Sequence, residues 1–143
     1  MKEQFSIKFK LYQITVIFSV LFALIGFSYN VWRMEVSEKN NTIRTASFEM
    51  LVELSSLEQL IYTAHYDGDL NEGSPRKGWV KVGLITDLSV LTDPSVKIKA
   101  DNLRKVWSEN WENIAHNPNS VEQVIQSIDN VRAEIKFVVN TLE

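Results

Sequence analysis

The sequence contains no cysteine. This absence excludes a disulfide framework, a thiolate metal site and a cysteine nucleophile, although it leaves the redox compartment open. The sequence also has no internal repeat and no low-complexity tract. A chain of 143 residues without repeats is long enough for one domain of ordinary size, so we expect one folding unit with one appendage.

Residues for catalysis or metal binding are scarce as well. The only two histidines, His65 and His116, lie far apart in the sequence, which argues against a zinc site. The stretch from Asp67 to Glu72 begins like a calcium loop, but Glu72 and Gly78 stand where an EF-hand needs glycine and glutamate. An ordinary acidic turn is therefore the favoured interpretation. No local motif brings together a nucleophile, a base and a charge-stabilising group, so we expect no enzymatic activity, no cofactor and no metal ion.

Charge is absent from one long stretch and unevenly distributed around it. The 22 residues from Leu11 to Trp32 carry no charged side chain. The first ten residues have a net charge of +2, whereas the residues from Arg33 onward carry 12 basic and 17 acidic side chains, a net charge of -5. The acidic character of this larger part argues against nucleic acid as a partner.

The uncharged stretch predicts a membrane anchor. As a helix, residues 11–32 would be roughly 33 Å long, which suits a hydrocarbon core of about 30 Å. The apolar run is longer than that of a secretory signal, and no convincing cleavage site follows it. Its few polar residues form no polar face, so a soluble core helix would need another protein to cover it. We predict one transmembrane helix, with no second apolar span towards Glu143.

Residues at the two ends of this stretch predict its orientation. The rings of Tyr12, Tyr29 and Trp32 lie where aromatic side chains settle at membrane interfaces. A comparison of the net charges of the flanking segments favours an N-terminus in the cytoplasm, although a count of basic residues alone gives three on each side of the span. The predicted location is a cell inner membrane. The predicted domains are a short cytoplasmic tail (1–10), a transmembrane helix (11–32) and a periplasmic or extracellular helical bundle (33–143).

Beyond the anchor, the spacing of apolar residues predicts a long first helix. Residues on one face follow one another at intervals of three and four over 36–64, which is the pattern of a heptad seam. No proline or glycine interrupts the chain between residues 27 and 66, so we expect the membrane helix to continue into this seam as one rod. Three further apolar residues widen the stripe and favour a bundle over a two-stranded coil: Phe48, Leu51 and Leu60.

The segment after the glycine-rich stretch 67–78 predicts a second helix. The chain is expected to reverse direction within that stretch. The apolar segment that follows allows a helix or a strand, and we favour a helix because no second strand is in evidence to pair with it. This helix would present one apolar face formed by Val80, Leu84, Leu88 and Leu91.

Two capping patterns mark the starts of a third and a fourth helix. Asp93 can accept hydrogen bonds from exposed backbone amides, and Pro94 suits the first helical position because its missing N–H is not needed there. Ser120 and Gln123 have the spacing of a capping box, in which each side chain binds the backbone amide of the other. We therefore expect the third helix to begin at Asp93 and the fourth at Ser120.

Together these patterns predict an all-α fold, in which an N-terminal transmembrane helix continues into an antiparallel four-helix bundle. The third helix would carry a core face over 96–114, and the fourth a regular seam over 121–142. Because the second helix is much shorter than the first, the stretch around Asn40 and Ser47 would lack a complete set of neighbours. We predict that this stretch binds a partner.

Three tryptophans and a basic pair are further candidates for binding. The rings of Trp79, Trp107 and Trp111 could line a ligand cavity or anchor a partner helix. Filling of the core is the favoured interpretation, because these rings lie on the stripe that must be buried anyway. Arg76 and Lys77 form a basic cluster at the far end of the bundle, for which a solvated surface is the simplest interpretation and an anionic ligand or acidic partner the alternative.

The leading functional hypothesis is a non-catalytic interaction or scaffold subunit of an envelope membrane complex, because every recognisable feature serves location or helix packing. Its partners would be the lipid bilayer, other membrane or envelope proteins and, through the heptad faces, further copies of the chain. The competing hypothesis is a ligand-sensing bundle that signals through a partner membrane protein, since many bacterial receptor domains share this plan. An accessory subunit of an enzyme is a third alternative.

Overall fold

The structure, a computed structural model, describes the backbone of residues 2–142 and the side chains of residues 8–142. Within this range a 3₁₀ helix (Trp111–Asn113) accompanies four α-helices: α1 (Lys2–His65), α2 (Pro75–Ser89), α3 (Pro94–Asn110) and α4 (Pro118–Thr141). No strand occurs among the described residues, which confirms the all-α prediction and the choice of a helix after the glycine-rich stretch.

The chain divides into two compact units, Met1–Lys39 and Asn40–Glu143. Part of the predicted cytoplasmic tail falls on residues 1–7, whose side chains lie outside the described part of the structure. The predicted ranges 11–32 and 33–143 stay predictions. Within its bounds α1 is a single continuous helix, as the lack of proline and glycine between residues 27 and 66 indicates.

In the first unit, α1 exposes the side chain of every residue from 8 to 39. By length and composition α1 could cross a membrane, because its most apolar stretch of 18 residues has a mean hydropathy of 2.0. The hydroxyls of Thr15 and Ser19 donate hydrogen bonds to the carbonyls of Leu11 and Thr15, each at 2.9 Å. The polar atoms of these two side chains are therefore satisfied within the helix itself.

In the second unit, the seam predicted on the first helix is confirmed from Ile43 onward. Its side chains pack with those of α2, α3 and α4 into one hydrophobic core, and Trp107 is the largest fully buried side chain of that core. The seam residues of α1 that are buried there are Ile43, Ser47, Met50, Leu54, Leu57, Ile61 and Ala64.

Polar contacts at the edges of the core tie α1 to α2 and α4. The Lys81 ammonium on α2 lies 3.4 Å from a carboxylate oxygen of Glu53. On the other side of α1, Arg132 of α4 donates to Glu58 at 2.7 Å. Closer to the start of this unit, Arg44 donates to the carbonyl of Leu142 at 3.2 Å. Along α1 the contact residues run from Arg44 to Glu58, whereas their partners run backwards along the chain, from Leu142 to Arg132.

The inner face of α2 differs from the prediction. Val80 and Leu91, predicted to be buried, have exposed fractions of 73% and 51%. Gly78 is buried instead, and a Cβ atom at Gly78 would overlap the six-membered ring of the Trp107 indole. This close approach of α2 and α3 explains which face of α2 points inwards. The inner face consists of Gly78, Val82, Ile85 and Ser89. Of the other two residues on the predicted face, Leu84 is exposed, whereas Leu88 is half-buried and packs against the core. Leu91 lies beyond Ser89, the last residue of α2.

The start of α3 confirms the prediction, but its end does not. A carboxylate oxygen of Asp93 accepts a hydrogen bond from the Ser95 amide at 2.9 Å, and Pro94 is the first helical residue. The α-helix ends at Asn110, so Trp111 lies in the 3₁₀ helix rather than on α3. The Asn110 side chain donates to a carbonyl of the preceding turn at 2.9 Å, a bond that competes with regular helix continuation.

The capping box predicted at Ser120 is wrong. The helix α4 begins at Pro118, and its cap is Asn117, whose side chain accepts a hydrogen bond from the amide two residues later at 3.0 Å. Gln123, the other half of the predicted box, accepts a hydrogen bond from the side chain of Asn110 at 3.2 Å instead. A cap followed by proline at the first helical position, the same arrangement that begins α3, fixes the start of α4.

Candidate functional site

An open groove runs between α1 and α4 in the second unit, and we call it the α1–α4 groove. Its volume is about 590 Å³. Both helices contribute apolar side chains to it, with Leu51 on one wall and Ile135 and Val139 on the other. The remaining residues that line it are Arg44, Thr45, Ser47, Phe48, Glu49, Lys136 and Asn140.

Ser47, one of the predicted partner-binding residues, lies at the base of the groove. Its exposed fraction is 1%, and its hydroxyl has no hydrogen-bond partner. A buried polar group without a partner costs about 1–3 kcal/mol, and folded proteins contain few of them. The neighbouring Ile43 and Ala46 are also buried, so this stretch is better covered than the helix lengths suggested. Binding of a partner at Ser47 stays a prediction.

Phe48 lies beside Ser47 and faces outwards. The sequence pattern assigned Phe48 to the apolar stripe of the first helix, which is wrong, because 70% of the residue is exposed. Leu51, from the same set, is half-buried, and Leu60 is buried as predicted. An exposed phenylalanine on the wall of an apolar groove is surface that a binding partner could remove from water.

The charges on the edge of the groove are mostly positive. Arg44 and Lys136 are exposed there, and neither forms an ion pair among the described residues, although Arg44 donates to the Leu142 carbonyl. Glu49 supplies one opposing carboxylate. Asn40, the other residue of the predicted partner-binding stretch, is half-buried and is not part of the lining.

The three candidate tryptophans are distributed differently from the prediction. Trp107 is 0% exposed, packs against Gly78, and has an indole N–H without a hydrogen-bond partner. It therefore fills the core, which was the favoured interpretation. Trp79 and Trp111 are half-buried and form an edge-to-face pair, with ring centroids 6.2 Å apart and an interplanar angle of 69°. A binding role for these two rings stays a prediction.

The basic pair at the start of α2 is exposed. The ammonium of Lys77 lies 3.6 Å from a carboxylate oxygen of Glu72, and both side chains are mostly in solvent. Arg76 is exposed beside it, and neither residue lines the α1–α4 groove. In the acidic stretch nearby, one carboxylate oxygen of Asp69 accepts hydrogen bonds from the amides of Asn71 and Glu72, at 2.9 and 3.1 Å, as in an ordinary turn.

Sequence reasoning missed a polar network on the outer side of α1 and α4. The Tyr62 hydroxyl donates to Glu58 at 3.0 Å, Arg132 donates to the other oxygen of Glu58 at 2.7 Å, and Arg132 also donates to Asp129 at 2.6 Å. Burial and then the hydrogen bond to Glu58 raise the pKa of Tyr62. The hydrogen bond to Glu58 is the main reason for the raised pKa of Arg132. The spacing of Glu58, Tyr62 and Tyr66 by four residues was the available signal.

These side chains, together with the α1–α4 groove, are the candidate binding features of the second unit. Among the described residues no cluster of three His, Cys, Asp or Glu side chains is placed to hold a metal ion. The chain matches no protein-family model, no curated protein and no solved structure, so its function has to be inferred from its own residues.

Proposed function

We propose that the chain is a single-pass membrane protein whose helical unit, on the far side of the membrane from the cytoplasm, binds a helix of another membrane protein. Residues 11–32 would cross the bilayer, and the second unit would act as a non-catalytic interaction subunit of an envelope complex. The observation that carries this proposal is the α1–α4 groove, whose lining combines an exposed phenylalanine with the half-buried apolar side chains of Leu51 and Val139.

The anchor is supported by the surroundings of the first section of α1. Every side chain from residue 8 to 39 is exposed, which leaves an uncharged apolar surface of 22 residues without cover from the chain. A bilayer would cover this surface, and a helix satisfies its own backbone groups there. The tilted pair of Tyr29 and Trp32, with ring centroids 6.1 Å apart, would lie at one interface.

An antiparallel four-helix bundle is the arrangement that best accounts for the contacts of the second unit. Arg44 contacts Leu142 and Glu58 contacts Arg132, so residue numbers fall along the C-terminal segment as they rise along α1. Short connections between α2, α3 and α4 favour the same alternation. In such a bundle two neighbouring helices leave a groove along their outer side, and a further helix packs naturally into a groove of this kind.

The chemistry of the groove indicates what kind of helix would fit. Phe48, Leu51 and Val139 would contact an apolar face, as in other complexes in which an amphipathic helix occupies a groove. Arg44 and Lys136 outnumber the single carboxylate of Glu49, so acidic residues beside the apolar face would be favoured. The proposed partner is therefore an amphipathic helix with acidic flanks.

Site-specific photocrosslinking of the full chain in its native membrane tests this proposal. A photoreactive amino acid replaces Phe48 in one variant and Ile98, which is 67% exposed on α3 and outside the groove, in a matched variant. We expect a crosslink at position 48 to an acidic amphipathic helix of a membrane protein, identified by mass spectrometry, and none at position 98. Reversal of the charge of both groove cations, in the double variant Arg44→Glu with Lys136→Glu, should weaken the crosslink from position 48.

Three results would contradict the proposal. Equal crosslinking from both positions would indicate a nonspecific surface, and no protein crosslink from position 48 would remove the evidence for a partner helix. Purification in mild detergent of a monomer that a small molecule stabilises against heating, with no associated protein, would favour the ligand-sensing alternative.

A further inference from the structure

A second groove lies between the end of α1 and the first half of α4, and we call it the tyrosine groove. Its volume is about 390 Å³, and none of its residues lines the α1–α4 groove. Val121 and Ile125 supply apolar surface to it. The other lining residues used below are Tyr62, Tyr66, Glu122 and Asp129.

Two aromatic rings form one wall of the tyrosine groove. The ring centroids of Tyr62 and Tyr66 are 5.8 Å apart, with an interplanar angle of 53°. Tyr66 is 71% exposed and Tyr62 is 39% exposed, so aromatic surface of both residues remains available to a ligand. The hydrogen bond from Tyr62 to Glu58 holds the first ring, and the edge-to-face contact of Tyr66 with His65, at 4.8 Å, orients the second.

Carboxylates surround this aromatic wall. Glu122 and Asp129 line the groove, and Glu58 holds the Tyr62 hydroxyl. The guanidinium of Arg132 bridges Glu58 and Asp129, so it offsets one of the three negative charges of Glu58, Glu122 and Asp129. Glu122 forms no ion pair among the described side chains. The groove therefore keeps a net negative charge, and the carboxylates of Glu58 and Asp129 contribute to the raised pKa of Tyr62.

We propose that the tyrosine groove binds the side chain of a lysine or arginine from a protein partner. A cation over the face of a tyrosine ring is attracted by the negative face of the π system, and nearby carboxylates add to this attraction. The aliphatic stem of such a side chain would contact Val121 and Ile125. A partner's side chain fits better than a free small cation, because the exposed Tyr66 leaves the groove open and a polypeptide can extend beyond it.

This inference goes beyond the proposed function, since it concerns a different surface and a partner of opposite charge. An acidic helix in the α1–α4 groove and a basic side chain in the tyrosine groove can be gained or lost separately. A failure of one proposal therefore leaves the other untouched.

Titration of the full chain in dodecyl maltoside with short peptides tests the proposal. This detergent is uncharged, whereas a phosphocholine detergent would add a competing quaternary ammonium. The probes are acetyl-Ala-Lys-Ala-amide and acetyl-Ala-Gln-Ala-amide, and the readout is the NMR shift of the methyl groups of Val121 and Ile125. We expect saturable shifts with the lysine peptide, weaker binding at higher salt, and no saturable shift with the glutamine peptide.

Two variants connect the binding to the proposed contacts. Tyr66→Leu keeps bulk at an exposed position but removes the aromatic face, and it should weaken binding of the lysine peptide roughly two- to fivefold. Glu122→Gln should weaken it by a similar factor without disturbing the core, since Glu122 is exposed. Tyr29→Leu, a change at a tyrosine of the first unit that is 59% exposed, is the matched control and should leave binding unchanged.

Equal shifts with the glutamine peptide would overturn the proposal, as would full binding by both Tyr66→Leu and Glu122→Gln. Tetramethylammonium serves as a third probe. Tenfold tighter binding of this small cation than of the lysine peptide would assign the groove to free quaternary ammonium compounds and overturn the assignment to a protein side chain. Thermal unfolding of each variant, followed by circular dichroism, separates lost binding from lost folding.

Discussion

Two sections of α1, residues 8–39 and 40–65, differ in what covers their apolar side chains. In the first section every side chain is exposed, whereas in the second a continuous stripe is buried by the other helices. Leu21 and Val52 have nearly the same exposed fractions, 51% and 52%, but Leu21 has apolar residues on all sides and Val52 does not. An exposed apolar side chain therefore marks either a helix surface that is apolar all round, as at Leu21, or one apolar residue on a polar surface, as at Val52. The residues around the helix distinguish the two cases.

Replacement of these two residues by arginine should give the largest difference between the sections. Arginine at the centre of a membrane-spanning helix costs about 2.5–3.5 kcal/mol of insertion free energy, so Leu21→Arg should reduce the fraction of chain that resists extraction by alkaline carbonate. Val52→Arg places the same charge on a surface exposed to water and should leave this fraction unchanged. Equal extraction of both variants would show that the first section is not held by lipid.

Glycine replacements on α2 test the packing of the second unit, which the first section of α1 lacks. Gly78→Ala would place a methyl group against the Trp107 ring and should lower the free energy of unfolding by about 1–3 kcal/mol, measured by urea denaturation in detergent. A Cβ atom at Gly26, in the first section, or at Gly83, on the outer side of α2, meets no atom within 4 Å. Gly83→Ala should therefore stabilise the second unit by about 0.5–1 kcal/mol. A tolerated Gly78→Ala would contradict the described approach of α2 and α3.

Side-chain hydroxyls provide a smaller test. The hydroxyls of Thr15 and Ser19 are satisfied by backbone carbonyls in the first section, whereas that of Ser47 has no partner in the second. Ser47→Ala should raise the free energy of unfolding of the isolated chain by about 1 kcal/mol, because a desolvated group is removed. Ser89 is equally buried, but its hydroxyl donates to Thr86 at 2.6 Å, so Ser89→Ala should have the opposite effect. Identical shifts in melting temperature would contradict this distinction.

The smallest expected effect concerns pH. Burial and the hydrogen bond to Glu58 raise the pKa of Tyr62 above its ordinary value of 10.0, so the folded state favours the neutral phenol. The resulting stability is fully present below pH 10.0 and is lost as the pH rises through the higher pKa of the folded state. The free energy of unfolding of Tyr62→Phe should therefore fall less steeply with rising alkaline pH than that of the original chain. Identical alkaline unfolding curves, measured by circular dichroism, would remove Tyr62 from this account.

Sequence patterns predicted a helix correctly where only one pattern was present for it. The seam on α1 and the start of α3 follow from periodicity and from the pair Asp93 and Pro94. The start of α4 was missed because Asn117 with Pro118 and Ser120 with Gln123 are both acceptable caps, and the choice depends on Gln123 binding Asn110 in another helix. Such competition between local patterns is decided by tertiary contacts.

The inner face of α2 and the two grooves could not be derived from periodicity. Apolar residues occur on both faces of α2, and the contact between Gly78 and Trp107 selects one of them. The sequence drew attention to Ser47 through helix lengths, but its unpartnered hydroxyl depends on packing against α4. The tyrosine groove needs α1 and α4 side by side, so Tyr62 and Tyr66 alone could not indicate it.

The contact between Gly78 and Trp107 has a consequence for how this chain can vary. Any larger residue at position 78 needs a smaller ring or an aliphatic side chain at position 107, and a smaller residue at position 107 opens room that position 78 could fill. Natural variants should therefore change these two positions as a pair. Covariation between positions 78 and 107 would report the close approach of α2 and α3.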